Sequence, residues 1–250
     1  MKVRDIYEYI DKIAPFSLQE GYDNSGLVIG SMDSEVRRVL VALDVTKEIA
    51  QEAADKGAQL IVTHHPPIFK AIKRLDTDSA AVYLAAHGIN VISSHTNFDS
   101  AVMNDILCKK LGLSPILPLH VENGVPCGCV CECEKISAID MAKKIKTALG
   151  CKVVRFGDCG KNISRVAVCS GSGGDFLEDA EVLGCDAFIT GDVKHSVFID
   201  AHNASMTVFD AGHFDTENIF CEKMRGILSE GLGVQCDVAE NNRDILTYEV

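Results

Sequence analysis

Three stretches of the chain place an imidazole beside a second imidazole or a carboxylate directly after an apolar run. His64-His65-Pro66-Pro67 follows Leu60-Ile61-Val62-Thr63, Ser94-His95-Thr96-Asn97-Phe98-Asp99 follows Asn90 to Ser93, and Gly212-His213-Phe214-Asp215-Thr216-Glu217 follows Val208-Phe209-Asp210-Ala211. Pro66 breaks the strand, because it disfavours helix in the residue before it and has no N–H for a ladder. The paired histidines therefore sit at the carboxyl end of a buried strand, where α/β sheets place their sites. A His-His pair alone fits a surface or structural role as well as a metal. The set of three stretches favours metal. His64, His65, His213, Asp99 and Glu217 offer three imidazoles and two carboxylates. That is too many donors for one tetrahedral zinc and suits two ions sharing a carboxylate and waters. On a helix His213 and Glu217 share a face. Two divalent ions per chain are expected, and zinc, iron, manganese, cobalt and nickel all accept such donors.

Other residues fall near the same strand ends. His95 is a sixth ligand, an orienting neighbour or a proton shuttle. Asp44 ends its own strand, either as a turn residue or as part of the site. Gly191-Asp192-Val193-Lys194-His195 occupies the place in the second half that His64-His65 holds in the first. Asp44, Asp192 and Lys194 are therefore candidates for substrate contact, and His95 and His195 for carrying protons. His87, His120 and His202 lack such company and read as surface or capping residues. Gly171-Ser172-Gly173-Gly174 is either a tight turn before a helix or an anion cradle, and Asp175 opposes phosphate there. Cys127, Cys129, Cys131 and Cys133 alternate along one extended run, which spreads same-face sulfurs roughly 6.5–7 Å apart per step. Buried thiols on one strand face are expected, not a zinc knot.

The elements that position these residues alternate. Val3, Ile6, Ile10 and Ile13 mark a helix ending before Pro15. Leu27 to Ile29 reads as a short strand and Val39 to Asp44 as a buried one. Thr46 caps a helix over 47–56, and further helices are expected over 79–87, 101–111 and 138–149. The strand 125–133 and the strand 152–156 follow. The first half then recurs: Arg38-Val39-Leu40-Val41 matches Arg165-Val166-Ala167-Val168, and Leu60-Ile61-Val62-Thr63 matches Ala187-Phe188-Ile189-Thr190. This predicts an α/β fold of two similar lobes, 1–120 and 121–250, with mostly parallel sheets and the metal site in the cleft between them.

Composition bounds the partners. The 250 residues are 47% hydrophobic and 24% charged, an ordinary globular balance. A net charge of −12 disfavours nucleic acid, and a phosphorylated ligand would need a metal or a local cluster of donors. No apolar run is long enough for a membrane span, and Met1-Lys2-Val3-Arg4-Asp5 leads into no signal-peptide core. A cytoplasmic protein with its 11 cysteines reduced is expected.

Together these motifs resemble a known family. Asp23-Asn24-Ser25-Gly26-Leu27, His64-His65-Pro66, Ser94 to Asp99, Gly191 to His195 and Asp210-Ala211-Gly212-His213…Glu217 stand in the order of the dinuclear-metal-centre hexameric proteins. That family is labelled GTP cyclohydrolase I type 2 and includes the yeast NGG-one-interacting factor three. The chain resembles the short form, without an inserted domain. Tyr22 stands where tryptophan is usual, and the cysteine-rich strand is unusual; neither touches a ligand position. The resemblance implies a homo-hexameric ring with two metals held by His64, His65, Asp99, His213 and Glu217. It implies a metal-dependent hydrolase acting on a small nucleotide-like substrate through an activated water; the alternative is a non-catalytic metal-binding assembly protein.

Overall fold

A computed structural model describes residues 1–247. Two compact units divide the chain, one of Met1–Ala101 with Phe220–Ile245 and one built on Val102–Ile219.

The first unit opens with the helix Val3–Ile13, whose Val3, Ile6 and Ile10 are buried. The strands β1 (Gly26–Ile29), β2 (Arg38–Ala42), β3 (Leu60–Thr63) and β4 (Asn90–Ser93) follow. β2, β3 and β4 are parallel neighbours, and β1 lies antiparallel against β4. Every residue of β3 and β4 is buried, as expected of a parallel sheet covered on both faces. Each large apolar side chain so buried contributes about 1.5–3 kcal/mol. The crossover helices Lys47–Asp55 and Ala80–Ala86 start at Thr46 and Ser79, whose hydroxyls accept from the N–H groups of Ile49 and Val82. Ile49, Ala53 and Leu84 pack with Leu40, Ile61 and Val91 in one core.

The second unit contains β5 (Ser114–Glu122), β6 (Val125–Ile136), β7 (Arg155–Gly157), β8 (Ile163–Val168), β9 (Ala187–Thr190) and β10 (Thr207–Asp210). β8, β9 and β10 are parallel, β7 lies antiparallel beyond β10, and the β5–β6 hairpin covers the free side of β8. The order β7-β10-β9-β8 repeats β1-β4-β3-β2, edge strand included. The recurrence read in the sequence is thus a recurrence of topology.

The chain then returns: β11 (Gln235–Val238) pairs in parallel with β2. Arg38 donates from Nε to Asp237 at 3.0 Å, and buried Glu52 accepts from the backbone N–H of Glu240 and of Asn241 at 2.7 and 2.9 Å. This corrects the division at residue 120. Residues 220–245 belong with the first unit, because without β11 the edge of β2 would be left unpaired.

The cysteine strand differs from expectation in one respect. Cys129 and Cys131 face one core, where Cys131 Sγ lies 3.4 Å from Cys108 Sγ, but Cys127 packs into the other core with Val130. Gly128 causes the switch. It adopts φ 65° inside β6, and a Cβ there would lie 2.9 Å from the Val168 carbonyl oxygen. The positive φ breaks the alternation of faces. Among the described residues all 11 cysteines are free thiols, and no helix is long and apolar enough to cross a membrane.

Candidate metal centre

In the first unit His64 and His65 leave the end of β3 and His95 leaves the end of β4, the neighbouring parallel strand. One ligand nitrogen of each lies within 4.8 Å of those of the other two. His64 is fully buried, and its Nδ1 lies 2.9 Å from the Ser94 carbonyl. A carbonyl only accepts, so Nδ1 carries the proton and Nε2 the lone pair. That Nε2 faces Asp99 Oδ1 at 3.6 Å. His65 donates from Nδ1 to Asp44 at 2.7 Å, and His95 from Nδ1 to Asp23 at 2.8 Å. Both rings are thereby held in the tautomer whose Nε2 carries the lone pair a metal would take. Asp99 opens a π-helical turn, Asp99–Met103, directly after the short helix Thr96–Phe98. Such turns recur at functional sites.

Asp23 is the residue that sequence reasoning missed. Its buried side chain accepts from Ser25 Oγ at 2.8 Å, from the Thr96 N–H at 3.1 Å and from Thr96 Oγ1 at 2.6 Å, besides His95. Burial pushes its carboxyl up, but the His95, Thr96 and Ser25 hydrogen bonds outweigh that and hold it well below the usual carboxylate range. An ionised Asp23 so fixed locks the His95 loop to the turn before β1. In the sequence it stood only within the motif Asp23 to Leu27, with no role assigned and 72 residues from its partner.

The second unit builds a smaller cluster. His213 starts the short helix His213–Glu217, and its Nε2 lies 3.0 Å from Glu217 Oε2, as the i,i+4 spacing requires. His213 Nδ1 donates to Asp192 at 2.8 Å. Asp192, just past β9, adopts φ 51°, a left-handed conformation that Asp tolerates better than most residues. Gly171, after β8, forms the floor: a Cβ there would stand 2.1 Å from Glu217 Oε1 and 3.4 Å from His213 Nε2. The N–H groups of Gly171 and Gly173 are spent on the Thr216 and Thr190 hydroxyls, which favours the tight turn over the anion cradle.

Asp44 and Asp192, the candidates for substrate contact, are each bonded to a candidate ligand histidine. Lys194 and His195 are exposed, at the start of the helix His195–Asn203. His87, closing its helix, bonds the carbonyl of Tyr83, whereas His120 does find a carboxylate, Asp179 at 3.1 Å, which its sequence neighbours did not show.

The donors therefore fit divalent metal: imidazoles with Nδ1 tied to oxygen, each with its other nitrogen offered, and carboxylates beside two of them. A "GTP cyclohydrolase 1 type 2 homolog" of Clostridium perfringens is 37% identical over 230 residues, 87% of each chain. One of Campylobacter jejuni with the same name is 34% identical over 232 residues, 89% of this chain and 90% of that one. Among solved structures, the Staphylococcus aureus hypothetical protein SA1388 superposes with a TM-score of 0.92 at 29% identity, covering 100% of this chain and 99% of that one. A family model, Duf34/NIF3 (NGG1p interacting factor 3), matches residues 1–244, and the chain belongs to that family.

Proposed function

We propose that the chain is a metal-dependent hydrolase with a dinuclear centre, drawing His64, His65 and Asp99 from the first unit and His213 and Glu217 from the second. The observation that carries it is the shared Nδ1 anchoring of four imidazoles, to Ser94, Asp44, Asp23 and Asp192. A purely structural histidine needs no such common tautomer. A pair of divalent ions held by these donors would lower the pKa of a water and polarise a substrate oxygen.

The chain's own groups do the rest. Asp44 and Asp192 orient His65 and His213 and raise their basicity. His95, with Nδ1–H given to Asp23, presents Nε2 as a proton acceptor, the arrangement of a general base held by a carboxylate. Lys194 and His195 stand exposed two and three residues past Asp192, where a charged substrate can be met. The substrate is a small nucleotide-like molecule, a reading supported by the names of the relatives. A homo-hexamer belongs to the same proposal, and a mass near 27.0 kDa by light scattering would overturn it.

The test is elemental analysis of protein purified without added metal, followed by a turnover screen beginning with GTP. Two ions per chain and metal-dependent turnover, both lost in His64→Ala and Glu217→Ala, are expected. Metal content unchanged in both variants removes the centre; bound metal without turnover on any nucleotide, phosphoester or amide favours the assembly protein. His95→Ala is expected to keep its metal and lose about 10²–10⁴ in rate. Loss of metal instead makes His95 a ligand.

A further inference from the structure

Residues 66–79 run from the paired histidines to the cap of the helix Ala80–Ala86, and they enclose a cavity that the metal reading does not use. Together with Val28 and Ile29 of β1 and Val82 of that helix, this loop bounds a volume of about 600 Å³. That is the size of site that takes a small organic molecule. Its walls are mainly apolar, and the loop leaves Phe69, Ile72 and Leu75 exposed at 41%, 47% and 68%. Exposed apolar side chains gathered around one hollow are the mark of a surface meant to be covered.

Charge says what covers it. The chain carries a net −12, yet Lys70, Lys73 and Arg74 crowd into this loop, and Lys70 and Arg74 line the cavity. Among the described residues none of the three makes a hydrogen bond or ion pair. Of the nearby carboxylates, Asp78 pairs with Lys47, while Asp76, which also lines the cavity, accepts the Asp78 N–H at 3.1 Å and keeps its charge, one carboxylate against three cations. An apolar peptide would leave those cations unmatched, and a second copy of this chain is separated by the oligomer-mass test below. An organic anion matches both features. Phe69 adds a ring wall: its centroid lies 6.0 Å from that of His95, edge to face, and 6.3 Å from that of Tyr22.

We propose that this cavity binds an organic anion, with a ring-sized apolar body against Phe69, Ile72 and Val82 and a phosphate, sulfonate or carboxylate at Lys70, Lys73 and Arg74. The site stands independently of the metal, since none of its walls is a candidate ligand.

The probe is 8-anilinonaphthalene-1-sulfonate, followed by fluorescence on the folded full chain, with 1-naphthol as the uncharged control. Saturable binding of one probe per chain is expected, competed by 1-naphthyl phosphate. Lys70→Ala with Arg74→Ala should weaken the anions about tenfold, two exposed ion pairs' worth, and leave 1-naphthol unchanged. Val82→Trp, which fills the hollow, should abolish both. Melting temperatures within a few degrees of wild type confirm that these variants fold. Three results overturn the proposal: equal anion affinity in the double alanine variant, loss of the probe on chelation of metal, or a change in oligomer mass on Leu75→Ser with probe binding intact. The last would assign the surface to another copy of the chain.

Discussion

The two units share a strand order and differ in what they hang on it. In the first, the end of β3 carries two imidazoles and the end of β4 a third. In the second, the corresponding end of β9 carries Asp192, and only the end of β10 carries an imidazole, His213. Yet one device is common. Asp44 reaches His65 from β2 to β3, and Asp192 reaches His213 from β9 to β10, each across one parallel step and each 21 residues apart. A strand-end acid, a crossover helix and an imidazole at the next strand end form a module that either half can use, shifted by one strand. The scaffold is thus duplicated while the chemistry is not, and the first unit is the richer in nitrogen and the second in structural support for one carboxylate.

The largest effects should come from the donors themselves. His64→Ala in one unit and Glu217→Ala in the other are each expected to remove at least one ion per chain by elemental analysis. If only the first-unit variant loses metal, the second cluster is decorative and the comparison collapses. Next are the anchoring acids. Asp44→Ala and Asp192→Ala should each weaken metal binding about 10–100-fold in a competition titration with a chelator. Equal losses show that the module works alike in both units.

Gly171→Ala probes a feature of the second unit. The new Cβ would meet Glu217 Oε1 at 2.1 Å, and φ is 60°. The left-handed strain costs about 1–2 kcal/mol, and the displaced carboxylate should lower metal content as Glu217→Ala does. A melting curve and elemental analysis check the two parts separately.

Glu52→Ala tests the returning strand, which only the first unit has. Glu52 accepts from Lys56 Nζ at 2.7 Å besides the N–H groups of Glu240 and Asn241. A loss of about 2–3 kcal/mol in denaturant unfolding is expected. Burial raises this carboxyl's pKa, but the Lys56, Glu240 and Asn241 hydrogen bonds prevail and leave it lowered. Its contribution is therefore complete above about pH 4.3, the ordinary glutamate value, and is lost as pH falls through the lowered folded value. The wild type should lose stability over that acid window and the variant should lose less.

The smallest effect is expected of the cysteine strand. Cys129→Ser with Cys131→Ser should leave metal content unchanged. Elsewhere burial pushes the Cys221 and Cys236 thiols up to about 12, so these two should react slowly with a thiol reagent at neutral pH. One ion lost per chain in the serine variant would show a thiolate site.

Much of this molecule was written locally. The apolar runs ending in His64, Ser94 and Ala211 needed only the rule that buried parallel strands are continuous and open at their carboxyl ends. Thr46, Ser79 and Ser137 cap where short polar side chains can meet a helix's first N–H groups, and the His213–Glu217 pair follows from helix geometry. Each of these is decided within a few residues. What only the tertiary structure decided joins residues far apart in the chain. Asp23 holds His95 from 72 residues away, β11 closes the edge of β2, and Gly128, at φ 65° and against the Val168 carbonyl, leaves Cys127 in the opposite core. Pattern fixes which face a side chain occupies until a positive φ intervenes. Which carboxylate a histidine finds depends on which strands become neighbours, and that is settled by packing the whole sheet.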